Sequence, residues 1–378
     1  MSVTVQPVRN SSQQNDFFSL RRTLYANDPQ VVFPLQSMDR QLLDPQIHPF
    51  YEHAQREWWV AYRNGQPVGR IVAIKNDLQQ SHDQNQLGFF GFFECIDDQG
   101  IADSLIDAAC QWLKEQGCDT IRGPVNPSMK GEFGVLIDGH ETSPTIMTMH
   151  NHARYKRLLE ANGCGVIREF YAFQFFASTS ASEAVRSKWD KLFSSRDRIL
   201  KRFPQLSFRA VNAKTFDHSM REINELSNRV RSAGWGFVPL TPAELTFMIK
   251  NLRRVIRYDM IQVAYWNDTM VGYIVNIPDV NWALKRTWGR QDWLRMIQMP
   301  FLIPRSPRCR VIALGVDEDY RTKGIAMLLM ARLIERYNAF AEWEFSWVDS
   351  ENMKSIRAIE RTMPLVKTKT YQLFERAL

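Results

Sequence analysis

Residues 321–326 read Arg-Thr-Lys-Gly-Ile-Ala, two cations and a glycine within six positions. An apolar run from Val311 to Val316 leads toward them, and Ile325, Leu328, Leu329, Leu333 and Tyr337 fall on one helical face of the segment that leaves. A strand, a turn and a helix in that order place the loop at a helix N-terminus. Unpaired backbone N–H groups and the positive end of the peptide dipoles favour an anion there. Gly324 lets the backbone come close to such a ligand, so the chemistry expected is phosphate or diphosphate binding.

Arg321, Gly324 and Ala326 satisfy a signature of Gln or Arg, two residues, Gly, one residue, then Gly or Ala. It resembles the acyl-CoA pyrophosphate loop of the GNAT N-acetyltransferase superfamily. The similarity continues downstream. Glu342 to Val348 reads as the next strand, Asn352 opens a helix from Ser355 to Thr362, and Lys367 to Glu375 closes the chain as a strand carrying Tyr371. The resemblance implies direct transfer of an acyl group from acetyl-CoA or a longer acyl-CoA to a primary amine, with no metal. Arg321, Thr322, Lys323, Gly324, Ile325 and Ala326 would hold the cofactor. A backbone amide near Leu314, Gly315 and Val316 would receive the developing oxyanion where the strand splays, and Gly315 would ease that splay.

A protonated amine is no nucleophile, so a base is needed, directly or through water. Glu344, on the strand beside the cofactor, is the first choice, with a salt-bridged strand carboxylate as the alternative. Tyr371 is the candidate acid for the departing thiolate, or a core tyrosine. Asn352 binds cofactor or a catalytic water, or caps its helix. One departure stands out: many family members carry a Tyr on the helix after the Asn position, and residues 355–362 have none.

The chain also repeats itself. Residues 61–72 (A-Y-R-N-G-Q-P-V-G-R-I-V) and 264–275 (A-Y-W-N-D-T-M-V-G-Y-I-V) agree at seven of twelve positions at an offset of 203. Each reads as a β-hairpin with its turn at Asn64-Gly65 or Asn267-Asp268. Gly100-Ile101-Ala102 matches Gly324-Ile325-Ala326 at an offset of 224, so the second copy gains 21 residues in between. A repeat of this length is a duplicated domain, and 378 residues suit two. The boundaries expected are a degenerate first domain over 1–177, a linker helix over 178–205, and an acyl-CoA-binding domain over 206–378 with an insertion at 279–308. The fold class expected is α/β (α+β): tandem GNAT-like domains, each a mixed, mostly antiparallel central sheet covered by helices.

In the first copy the loop reads Asp97-Asp98-Gln99-Gly100, carboxylates where the second copy has Arg321 and Lys323. Like charges repel a diphosphate, so this copy is expected to supply scaffold and part of the acceptor pocket rather than bind CoA. Its Gly123-Pro124-Val125-Asn126-Pro127-Ser128 stretch is either a site-bearing loop or a structural turn.

At 44% apolar residues and a mean hydropathy of −0.35, the composition is that of an ordinary globular chain. No apolar run reaches membrane-spanning length and residues 1–16 are polar, so a cytoplasmic location is expected, peripheral at the inner membrane face if lipid is touched. Five cysteines without C-x-x-C spacing suggest buried free thiols. His150 and His152 could ligate a metal on one strand face but lack partners at ligand spacing, which favours surface or loop histidines.

The net charge of +7 is concentrated. Residues 282–310 hold seven cations against one Asp292, a net of +6, interleaved with Trp282, Trp288, Trp293, Met296, Ile297 and Phe301. Four readings stand: an interfacial amphipathic element on anionic lipid, an ordinary helical cover of the sheet, a wall for an acyl chain, or a nucleic-acid surface, the last without any accompanying motif. No nucleic acid is therefore expected. Over its full length the chain resembles double-domain bacterial GNAT proteins, among them bacterial ceramide synthases, which N-acylate a sphingoid base. That implies a small-molecule or lipid-like amine acceptor. The alternative from another class is a catalytically silent CoA-binding or regulatory module.

Overall fold

The computed structural model describes residues 3–83, 85–177, 183–232, 234–336, 340–353, 356–357 and 364–378. Two compact units emerge: residues 1–169, 290–292 and 369–378 form the first, and residues 170–289 and 293–368 the second.

In the first unit, β1 (Val3–Pro7), β2 (Ala54–Arg63), β3 (Gln66–Asn76) and β4 (Leu87–Cys95) run antiparallel in that order, and β5 (Thr120–Gly123) lies parallel to β4. Helices α1 (Ser11–Leu24), α2 (Gln36–Leu42), α3 (Asp77–Asp83) and α4 (Gln99–Glu115) intervene, followed by the small strand pair β6 (Val125–Asn126) and β7 (Glu132–Phe133), then β8 (Val135–Asp138) and α5 (Arg154–Ala161). Asn10 caps α1 with a reciprocal Gln13 capping box, which satisfies donors the helix leaves open. The core gathers Ile71, Phe90, Leu105, Ile106, Leu113 and Leu158.

The second unit repeats this order. β9 (Gly165–Phe176) and α6 (Glu183–Arg202) precede β10 (Leu206–Ala210), α7 (Phe216–Arg231), α8 (Pro242–Leu252), β11 (Ile261–Trp266) and β12 (Thr269–Pro278). The insertion then folds as α9 (Val280–Arg286) and α10 (Asp292–Leu302) before β13 (Arg308–Val316), α11 (Ile325–Arg336), β14 (Glu342–Asp349) and β15 (Val366–Ala377). β10 to β13 are antiparallel and β14 is parallel to β13.

The shared hairpin motif has a packing cause. A Cβ on Gly69 would lie 2.6 Å from Leu105 and 3.0 Å from Ile101, and one on Gly272 would lie 2.9 Å from Ile325. In both units the helix after the loop presses onto the hairpin where the glycine leaves room. The offsets also resolve. Gly69 pairs with Cys95 and Gly272 with Val316, so 18 of the 21 extra residues lie in the connection before β13 and three in the loop itself.

The units differ from the sequence halves expected. Phe170–Phe176 of β9 pairs antiparallel with β14 of the second unit, and the last residues of β15, from Thr370 on, pair with β8 and β5 of the first. Each sheet is thus completed by a strand from the other half of the chain. A strand's local pattern reveals which face is buried but not its partner. Of the expected linker, Leu192 is buried in the second core with Trp189, Phe193, Ile199 and Leu200 packed against it, while residues 178–182 lie outside the described residues.

Candidate active site

β13 is a central strand that loses a neighbour halfway along. Its parallel pairing with β14 runs only from Arg308↔Glu342 to Val311↔Phe345, and a bulge opposite Val275 and Asn276 falls in the next step. Beyond it Ile312 and Ala313 are half-buried and Leu314 is 38% exposed, unusual for the middle of a sheet. The expected splay is therefore present. Gly315 is not its cause. A Cβ there would sit 2.6 Å from the Tyr273 ring, which lies opposite in register, so the glycine makes room for a buried aromatic side chain. Burial raises the Tyr273 phenol, with Ser227 hydrogen-bonded to it.

From Val316 the chain enters a 3-10 turn, Glu318–Lys323, capped by the Asp317 carboxylate on the Asp319 N–H (3.3 Å). Gly324 follows at φ 77°, the left-handed conformation a β-carbon disfavours, and α11 begins at Ile325. No acidic side chain occupies the first turn of α11. Arg321 pairs with Glu318 at 2.8 Å, and Lys323 lies over the Trp266 and Tyr320 rings while donating to the Asp319 carbonyl (3.3 Å). The expected loop residues 321–326 are thus contiguous at one helix mouth.

The other expected residues are distributed differently. Glu344 pairs opposite Arg310 where the two strands are still joined and is 1% exposed. Its Oε1 accepts from the Ser346 hydroxyl (2.6 Å) and lies 3.9 Å from Arg310 Nε, and its Oε2 accepts from Gln174 (3.2 Å). Arg310 donates to the Ser346 hydroxyl and carbonyl at 2.9 and 3.0 Å. Asn352 is exposed in the turn after β14, its N–H on the Asp349 carbonyl (3.0 Å) and its carbonyl accepting from Ile356 (3.1 Å). The rest of the helix expected at 355–362 lies outside the described residues apart from 356–357.

Tyr371, the candidate acid or core tyrosine expected in the second domain, is fully buried in the first unit, because β15 pairs there; its hydroxyl donates to the Met149 carbonyl at 3.3 Å. Tyr171 is the tyrosine that the strand exchange brings to the second unit, at the β14 register of Val348.

The first unit has the same two features, both closed by its own chain. β4 and β5 pair only from Leu87 to Phe89 and β4 bulges beyond. Here the Phe92 N–H is taken by Asn126 Oδ1 at 2.7 Å, and a Cβ on Gly91 would fall 1.7 Å from the Val125 carbonyl. The Gly123–Ser128 stretch fills the splay. At the helix mouth Asp98 caps α4 through the Ile101 N–H (3.2 Å) and pairs with Arg63, whose hydrogen bond holds the Asp98 carboxyl below its usual range. A carboxylate therefore caps this helix, where the second unit has Gly324 and no acid in the first turn. His150 and His152 are engaged as well, His150 with Asp28 (2.8 Å) and His152 stacked on Tyr25 (4.1 Å). Among the described residues no group of three or more His, Cys, Asp and Glu is arranged to hold a metal.

Two sheets of one topology, each with a splayed parallel pair and a glycine-preceded helix, define a tandem acyltransferase architecture. The sequence profile of the acetyltransferase (GNAT) family matches residues 22–128 and 223–363, and the chain belongs to that family, as an N-acyltransferase. It is 25% identical over 387 aligned positions to the bacterial ceramide synthase of Caulobacter vibrioides, covering 100% of this chain and 98% of that one. It is 28% identical over 384 positions to protein YghO of Escherichia coli, covering 98% and 95%. Among solved structures, a tandem GNAT protein from the clavulanic acid biosynthesis pathway superposes with a TM-score of 0.54 at 10% identity, covering 100% of this chain and 98% of that one, a likeness of fold.

Proposed function

We propose that the second unit transfers a long acyl chain from acyl-CoA to a lipid-like primary amine of the sphingoid type. The observation that carries this reading is the open length of β13 at Leu314 beside the N-terminus of α11, whose first turn holds no acidic side chain. A thioester laid along that length finds backbone donors for its carbonyl, and its diphosphate meets Gly324 and the cations Arg321 and Lys323. The first unit, with Asp98 and Asn126 in the corresponding places, does not bind CoA. The lipid-like acceptor is supported by the relative named bacterial ceramide synthase, which aligns over the full chain.

For the proton we assign Glu344, acting through the Ser346 hydroxyl. That hydroxyl donates to the carboxylate at 2.6 Å, so it can pass its proton on while accepting one from the ammonium. The free amine then attacks the thioester carbonyl, the tetrahedral intermediate expels the CoA thiolate, and the nitrogen gives up its second proton to that thiolate as the amide forms; Glu344 returns the first proton to solvent.

The test is CoA release and product mass across acyl-CoAs of graded length with a long-chain amine. Amide formation that grows with chain length is expected, together with at least about a hundredfold lower kcat in Glu344→Gln, the usual scale of general-base loss. Acylation of short amines in preference to the long-chain amine sinks the acceptor assignment. Release of CoA by no acyl-CoA sinks the donor assignment.

A further inference from the structure

We propose that α10 docks the protein on an anionic lipid surface, inserting one face into the interface. On α10 the exposed positions are Trp293 (57%), Met296 (55%), Ile297 (59%), Pro300 and Phe301 (65%). Their spacing of three and four residues puts all five on one stripe, and every one is apolar. The other face is the anchored one. Arg295 and Met299 are buried, with Arg295 Nε donating to Thr287 at 3.3 Å, and Ile303 is buried just beyond the helix.

A helix of a soluble protein normally turns its polar face to water; this one turns an apolar stripe to solvent. α9 buries Val280, Ala283 and Leu284 as a helical cover would, whereas α10 buries Arg295 and Met299 and leaves its aromatic residues exposed.

The surroundings select the occupant. Lys285 and Arg286 on α9 and Arg305 just beyond α10 are exposed, and Trp288 is 47% exposed on the turn after α9. The one acidic residue between 280 and 305, Asp292, accepts the Gln36 N–H at 2.6 Å and lies 4.0 Å from Arg22. An apolar stripe with tryptophan and a cationic rim matches an interface of acyl chains beneath anionic headgroups. A second copy of the chain fits worse, since a two-fold contact would set these cations against their own counterparts. No acyl transfer is needed for docking, so this proposal stands apart from the catalytic one. It gives a reason for the insertion that the site itself does not.

The test is flotation of the full chain, without substrate or CoA, on vesicles of phosphatidylcholine alone or with about one-third phosphatidylglycerol. Wild type should float with the anionic vesicles and be released as salt rises toward 1 M, where the screening length falls to about 3 Å. Trp293→Ser/Ile297→Ser/Phe301→Ser should lower the partition coefficient at least about tenfold, the loss of well over one buried side chain's transfer free energy. Lys285→Gln/Arg286→Gln/Arg305→Gln should erase the preference for anionic over neutral vesicles. If the apolar variant misfolds, the salt response and the cation variant still decide. Wild type that stays off anionic vesicles, or variants that float as it does, overturns the proposal. So does a wild-type dimer that the apolar variant converts to monomer without any lipid binding, which would make the stripe a protein interface.

Discussion

Replacing Arg321 and Lys323 together by alanine separates the anion-cradle reading from a merely structural loop. The stability cost is small on the structure's own terms. Arg321 and Glu318 are 45% and 71% exposed, so their 2.8 Å pair is worth about 0–1 kcal/mol. Lys323, half-buried, lies 5.3 and 5.1 Å from the Trp266 and Tyr320 ring centres, worth about 0.5–1 kcal/mol. The fold should thus lose less than about 2 kcal/mol. A cation about 4 Å from a phosphate oxygen contributes about 1 kcal/mol in water and about 4 at a protein surface, so about 1–2 each is a fair figure for side chains this exposed. The pair then accounts for about 2–4 kcal/mol of CoA binding, roughly 30- to 700-fold in Kd. Isothermal titration with CoA and with pantetheine, which lacks the diphosphate, isolates the effect: CoA weakens and pantetheine does not. A CoA Kd within about threefold of wild type, in a variant that still melts normally, refutes the argument.

Two further predictions concern the fold. Gly272→Ala places a methyl 2.9 Å from Ile325, and Gly69→Ala places one 2.6 Å from Leu105, so each should destabilise its own unit by about 1–3 kcal/mol, read as an earlier urea transition; unchanged midpoints would show that the helices are not seated on these glycines. Burial pushes the Cys95 thiol up to about 12 and the Cys164 thiol up to about 11 from 9.0. Since the unfolded chain releases these protons first, their stabilisation is intact below pH 9 and declines as pH rises from 9 through 11 and 12. Urea midpoints should therefore fall between pH 8.5 and pH 10.5, and midpoints that rise over this interval would contradict the burial of the thiols.

What the sequence made readable was local. The loop at 321–326 announced itself because the apolar spacing of Ile325, Leu328 and Leu329 is a helix pattern in its own right, and the hairpins because their glycines serve the same close packing twice. What stayed hidden depended on distant partners. Nothing near Tyr171 or Tyr371 says that their strands pair in the unit of the other half of the chain, so the sequence alone assigns Tyr371 to the second unit when its strand lies in the first. Glu344 read as a candidate base because it falls on the strand expected beside the cofactor; its ties to Arg310, Ser346 and Gln174 come from two other strands and from beyond the end of the β13 pairing. Asn126 was visible as a polar residue in a Gly/Pro loop, yet only the fold reveals that its amide oxygen satisfies the Phe92 N–H. In α10 the mixture of cations with aromatic and aliphatic residues was legible, but composition alone does not distinguish a face turned to the core from one turned to solvent.

The duplicated units differ in how they treat the same two structural openings, the splayed strand and the helix mouth. The exposed strand length and the open helix end are costs: unpaired backbone groups want partners, and an uncapped N-terminus is less stable than a capped one. The first unit meets both demands from within, Asn126 on the β4 backbone and Asp98 on α4. The second leaves β13 exposed at Leu314 and starts α11 after a left-handed glycine with no acid in the first turn. A chain selected for stability alone would be expected to close the second pair as it closed the first, since each closure is worth on the order of 1 kcal/mol and needs one side chain. That the second unit forgoes both, and adds three residues of loop between Val316 and Gly324 relative to Cys95 and Gly100, is what a ligand supplying those hydrogen bonds would select.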